Sequence, residues 1–176
     1  MAFDITQANW GRDAAQPKVA QVVNSTLQTT ATTTSNTFVD SPLSAAITPL
    51  YSDSKIKISY NVIGGSNNGG GIPLRIKRDI GGTTAFNILT AASDGSQPAS
   101  EATTYYTGAQ LGSYVGFHMG IECLDTPSTT NEVKYIIQFC ETDSFQSAAY
   151  INRSGLGSGD HTYNSCSSIT LEEIKQ

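Results

Sequence analysis

The chain has 176 residues and a formal net charge of −5, with only 14% charged residues and 38% apolar ones. Typical soluble chains carry roughly a quarter charged residues, so a salt-bridged helical protein is excluded, while the apolar fraction excludes wholesale disorder. Lys plus Arg total 10 against 15 Asp plus Glu, which leaves no basic footprint for general nucleic-acid binding. Ser and Thr together number about 40, beside 16 Gly and 8 Tyr, a mixture that favours pleated strands and tight turns over helices.

Residues 1–17 (MAFDITQANWGRDAAQP) read as an N-terminal arm outside the main domain. The stretch holds the only Trp and shows neither helical nor alternating periodicity. It has no basic start followed by an apolar run, so it is not read as a secretory signal. Phe3, Ile5 and Trp10 are large apolar groups with no evident core role. Trp anchors interfaces well, because it buries much area with few rotamers to freeze. These three are the candidate partner-docking residues, with two destinations open: the chain's own sandwich or a neighbouring subunit.

From Lys18 to Gln176 the period is two. VAQVVNSTLQT, TSNTFV and LSAAIT read as weak strands. In KIKISYNVI, Ile56, Ile58, Tyr60 and Val62 share one face, and Lys55, Lys57, Ser59 and Asn61 the other, a half-buried strand. The Gly-rich run Gly64–Gly71 lacks the Gly-Lys-Ser/Thr ending of a phosphate loop and reads as a hairpin tip. GIPLRIKR places Ile72, Leu74 and Ile76 inward, and Pro73, which cannot donate a ladder hydrogen bond, predicts an edge strand or a strand start. Arg75 and Lys77 then face outward to solvent. TAFNIL reads as another weak strand.

SYVGFHMGIEC sets Val115, Phe117, Met119, Ile121 and Cys123 on one face, and EVKYIIQF sets Val133, Tyr135, Ile137 and Phe139 on one face. The turn Asp125–Thr130 between them predicts a hairpin. In that hairpin Cys123 and Cys140 would lie on the order of 23 Å apart, too far for a disulfide. With Cys166 they make an odd, widely spaced set, which predicts three buried thiols and no zinc site. SAAYIN and CSSITLEEI complete about nine short strands. Such strands bury their apolar faces only by stacking in two layers, so the fold class is all-β: an antiparallel β-sandwich or jelly roll over residues 18–176.

Few residues offer chemistry. His118 and Glu122 fall on one strand face and read as a surface pair, and His161 sits beside Asp160 in a loop. No catalytic elbow or His-rich metal motif occurs. Tyr105-Tyr106 and Trp10 could stack on a sugar, yet adjacent strand residues point to opposite faces, so one tyrosine belongs to the core. The sequons at Asn24 and Asn152 carry little weight without a secretion signal. The reading is no enzyme, with catalytic residues, metal and cofactor all absent. No apolar run approaches the ~18 residues of a membrane-spanning helix, so neither membrane nor nucleic acid is an expected partner.

The domain resembles β-sandwich domains of structural proteins in tailed bacteriophages, especially phages of aquatic bacteria. The likeness lies in TFVDSPLSAAITPLYSDSKIKISYNV, in LDTPSTTNEVKYIIQF, and in the closing AAYINRSG and SSITLEEI. Two departures are Cys166 in the closing segment and Glu173, where an apolar residue is more usual. The resemblance implies a virion surface protein without enzymatic activity, assembled in the host cytoplasm as a homo-oligomer, a trimer first. It further implies a capsid cement (decoration) protein seated on the major capsid protein by its arm and base. The alternative it leaves open is a tail fibre or receptor-binding head that recognises a host glycan or surface protein.

Overall fold

The computed structural model describes residues 18–67, 71–86, 100, 102–104, 116–142, 148–155 and 164–175. Among the described residues eleven strands are formed: β1 Lys18–Leu27, β2 Ala31–Thr33, β3 Val39–Ile47, β4 Lys55–Ser66, β5 Ile72–Ile80, β6 Thr83–Phe86, β7 Ala102–Thr104, β8 Phe117–Asp125, β9 Val133–Phe139, β10 Ala149–Ile151 and β11 Ser167–Lys175. Every strand pairing is antiparallel. One sheet runs β1-β11-β4-β8, with β10 and β2 continuing beyond the far end of β4. The other runs β3-β9-β5-β6, with β7 beside the start of β5.

The order of these strands defines the architecture. Set aside the three-residue β2, β7 and β10, and count the remaining eight strands in chain order. The first sheet then reads 1-8-3-6 and the second 2-7-4-5. That is the double Greek-key order of a jelly roll. The chain is therefore all-β, two antiparallel sheets packed as a sandwich, as the period-two pattern requires.

Alternation decides which residues face the other sheet. In β4 the inward set Ile56, Ile58, Tyr60 and Val62 is buried, and in β5 so are Ile72, Leu74 and Ile76. They meet Leu43, Val133, Tyr135, Ile137, Phe139, Ile169 and Leu171 in one core. Burying a side chain of this size contributes roughly 1.5–3 kcal/mol, and this cluster is the main source of stability.

Several expectations are corrected. β8 and β9 form no hairpin: β8 pairs with β4 in the first sheet, β9 with β3 and β5 in the second. Residues 126–132 thus cross from sheet to sheet, because alternation fixes the buried face of a strand and not its neighbour. The separation inferred for Cys123 and Cys140 loses its premise, although both are buried free thiols, whereas Cys166 is exposed. TSNTFV and LSAAIT are not two strands. Val39–Ile47 is one, running through Pro42 at a register shift between Asp40 and Ser44 on the sheet edge, where a missing donor costs least.

Pro73 lies near the start of β5, which is flanked by β9 and β7 and is not an edge. The Gly-rich run is not wholly a loop, since Gly64, Gly65 and Ser66 belong to β4 and pair with β10. A Cβ on Gly65 would stand 2.8 Å from the backbone of Arg153, Ser154 and Gly155, so glycine lets two chain segments touch there. Of TAFNIL, Thr84, Ala85 and Phe86 belong to β6 and residues 87–89 lie outside the described residues; β6 is joined to β5 through Gly81 and Gly82 at φ of 59° and 86°. Positive φ at both central residues is the demand of a tight two-residue hairpin turn.

Candidate docking surface

Phe3, Ile5 and Trp10 lie outside the described residues, as do Tyr105, Tyr106 and His161. The described residues begin at Lys18, which is paired with Lys175 in the first sheet. Around that point the surface is unusually apolar. Val19 is 56% exposed and Leu50 is 60% exposed, and Tyr51 lies under the Lys175 ammonium, 4.3 Å from its ring centre.

The outer face of the first sheet is laid out by register. Val22 stands beside Glu172, Glu172 beside Lys57, and Lys57 beside Leu124, one row across β1, β11, β4 and β8. The middle of the row is ionic, with Lys57 Nζ 3.1 Å from Glu122 and 3.5 Å from Glu172. The hydrogen bond to Glu122 and the charges of both carboxylates hold the ammonium above the ordinary lysine range, against a smaller opposing effect of burial. The two ends of the row are apolar and open: Val22 is 56% and Leu124 54% exposed. Glu122 therefore serves Lys57, and His118 stands exposed on the same face of β8.

On the outer face of the second sheet, Arg75 and Lys77 are bonded along the sheet. Arg75 Nε donates to Gln138 Oε1 (2.7 Å), Gln138 Nε2 donates to Asp40 Oδ1 (2.6 Å), and Lys77 Nζ donates to Asp40 Oδ2 (2.6 Å). The Arg75 guanidinium also covers the Phe38 ring at 4.2 Å. Burial raises the Asp40 pKa, but the bonds from Lys77 and Gln138 and the nearby lysine charges outweigh it and hold the carboxyl below its ordinary value. These side chains satisfy one another along the sheet and converge on no cleft.

Two carboxylates, Asp125 and Glu173, were given no role in the sequence reading, and both lie in the inward phase of their strands. Asp125, the last residue of β8, accepts two hydrogen bonds from Arg78 Nη1 (2.7 and 2.8 Å) and one from the Tyr135 phenol (2.7 Å). Burial, then the Asp125 charge and hydrogen bond, push the Tyr135 phenol far above its ordinary pKa, so it remains a donor. Glu173, fully buried, accepts from the backbone amides of Leu50 (2.9 and 3.1 Å) and Tyr51 (3.1 Å) and from Gln21 Nε2 (2.7 Å). Burial raises its pKa, but the hydrogen bonds prevail and leave it below the usual glutamate value. Glu173 thus ties down the β3–β4 loop.

Among the described residues no group of three or more His, Cys, Asp or Glu side chains is arranged to hold a metal ion. Cys140 is shielded, and burial first of all pushes its thiol up to about 11.

No family model and no curated protein matches this chain. Among solved structures it is distantly similar to that of infectious bursal disease virus Gt strain, at 13% identity and a TM-score of 0.44, over 92% of this chain and 38% of that one. The Gx strain structure gives 11%, 0.37, 89% and 42% for the same quantities. The VP2 subviral particle of that virus gives 10%, 0.38, 89% and 40%. The chain spans about two fifths of the length of these chains.

Proposed function

We propose that this chain is a virion structural protein of the capsid cement type, a homo-oligomer on the outside of a phage shell. The observation that carries the reading is a jelly roll whose surface charges are tied to one another along both sheets, as in Lys57 with Glu122 and Glu172 and Asp40 with Lys77 and Gln138. Jelly rolls serve in viral capsids, lectins and cupins, so the fold by itself does not choose among them. The sequence resemblance to phage structural domains supports the first. Cementing asks for buried contact area on several shell subunits and for no bond chemistry, since a protein that binds only the assembled shell stabilises it by mass action.

In this reading Phe3, Ile5 and Trp10 are the arm's anchors on the major capsid protein, and the sandwich end at Lys18, with Leu50 and Tyr51, faces the shell. The test is binding of the purified chain to shells that lack it. Deletion of residues 1–14, or Trp10→Ala, is expected to abolish particle binding while circular dichroism and thermal unfolding of the sandwich stay unchanged. Undiminished binding by the truncated chain would remove the arm from the account.

A further inference from the structure

Among the described residues most cations are spoken for. Lys57, Lys77 and Arg78 each touch a carboxylate, Arg75 and Arg153 donate to acceptors of their own, and Lys134 lies in the field of Asp40. Three lysines differ. Lys18, Lys55 and Lys175 have no carboxylate partner among the described residues, and the strand register gathers them at one corner of the first sheet. Lys18 is paired with Lys175 across β1 and β11. One step on, Val19 is paired with Ile174, and Ile174 with Lys55 of β4. Leu50 and Tyr51 stand at the same corner, so it gathers three of the five large apolar side chains exposed among the described residues.

This corner is held in shape before anything binds it. The amides of Leu50 and Tyr51 donate to buried Glu173, and Gln21 Nε2 of β1 donates both to Glu173 and to the Thr48 carbonyl, each at 2.7 Å. Glu173 therefore offers no acid at the surface, and Asp53 is the single exposed carboxylate of residues 48–54. A chain of net charge −5 thus shows one basic corner with an apolar centre. A fitting partner must bring carboxylates to the lysines and an apolar side chain to the centre. A polyanion such as nucleic acid would meet the lysines but leave Val19 and Leu50 in water. A fluid bilayer gains nothing from a loop fixed in place. A folded protein surface does, because preorganisation lowers the cost of binding.

We infer that this corner seats an acidic segment of the shell subunit, with carboxylates opposite Lys18, Lys55 and Lys175 and an apolar side chain packed on Val19, Leu50 and Tyr51. The inference rests on the shell attachment proposed above and names the chemistry of the surface that receives the sandwich. It gives that attachment a second contact besides the arm. This contact weakens with salt, because charges at an exposed corner are screened over about 8–10 Å at ordinary ionic strength.

The experiment is cosedimentation of the full chain with shells that lack it, at low and at high salt. The variants are K18E/K55E, its conservative counterpart K18R/K55R, and Leu50→Ser, with circular dichroism confirming the fold. Lys175 is left in place because it covers the Tyr51 ring. At low salt K18E/K55E should weaken binding by at least about tenfold and flatten its salt dependence, whereas K18R/K55R should bind as the wild type does. Leu50→Ser should weaken binding about tenfold at either salt. Binding that neither K18E/K55E nor Leu50→Ser disturbs would overturn the corner alone and leave the arm as the whole attachment. A wild-type chain that does not bind the shells would overturn both the corner's partner and the shell reading. Vesicles of phosphatidylglycerol and phosphatidylcholine are the second probe, and no binding to them is expected. Capture by vesicles that K18E/K55E abolishes would overturn the protein partner in favour of an anionic lipid surface.

Discussion

The phenol of Tyr135 in β9 donates to the carboxylate of Asp125 in β8, 2.7 Å away, and so links the two sheets near one end of the sandwich. Arg78 of β5 completes the arrangement from the same side as Tyr135, with Nη1 2.7 and 2.8 Å from the two carboxylate oxygens. An acid in the inward phase of a strand is costly unless it is bonded, and here two donors of the opposite sheet satisfy it. Tyr135→Phe should cost about 1–2 kcal/mol, one hydrogen bond to a charged acceptor. Asp125→Ala should cost more, about 3 kcal/mol, because it leaves a partly buried guanidinium and a buried phenol unpaired. Urea unfolding checks the order, and an Asp125→Ala protein as stable as Tyr135→Phe would contradict it.

Glu173 should make stability sensitive to acid. Its folded pKa lies below the ordinary 4.5, so its contribution is fully present above that value and is lost as pH falls through the lowered folded value. Thermal midpoints of the wild-type chain should drop as pH is lowered below about 4.5, in the manner of linked protonation. Glu173→Gln should start lower at neutral pH and fall less steeply over the same window. Parallel curves for the two proteins would show that Glu173 does not titrate with unfolding.

Gly65→Ala should be among the most damaging single-methyl changes in the chain. The added carbon meets three backbone atoms at 2.8 Å, and backbone cannot rotate away as a side chain can. A loss of about 2–3 kcal/mol is expected, the range for overpacking. Gly116→Ala is the control, because its nearest neighbour would be the Ile63 Cγ2 methyl at 3.5 Å, an ordinary contact. Equal losses at the two sites would contradict the close approach of β4 and the 152–155 segment.

The three thiols should react unequally. In the folded chain Cys166 is exposed while Cys123 and Cys140 are buried, and the Cys140 thiol is also held protonated by its pKa of about 11. One equivalent of a disulfide reagent such as Ellman's should be consumed rapidly at pH 8, and the rest only on unfolding. Rapid consumption of three equivalents would contradict the burial of Cys123 and Cys140.

Much of the fold could be read from the chain because a strand's period of two is written residue by residue. Ile56, Ile58, Tyr60 and Val62 could face only one way, and so could Ile72, Leu74 and Ile76. Sheet membership could not be read in this way. Phe117–Asp125 and Val133–Phe139 carry good alternation on either side of a turn, yet the turn crosses the sandwich, and nothing local distinguishes that from a hairpin. The inward carboxylates did leave a signal. Asp125 continues the phase of Met119, Ile121 and Cys123, Arg78 that of Leu74 and Ile76, and Glu173 that of Ile169 and Leu171. A charge in the buried phase demands a partner, and Asp125 and Arg78 are each other's. The docking candidates Phe3, Ile5 and Trp10 follow no alternating pattern in the sequence, so alternation says nothing of where they go.

The virion role itself is tested most directly by copy number per particle, measured by quantitative mass spectrometry against the major capsid protein. A cement protein on the shell should be present in hundreds of copies. A few to a few tens would instead place the chain on the tail and favour a receptor-binding head, and absence from purified particles would contradict the virion account altogether.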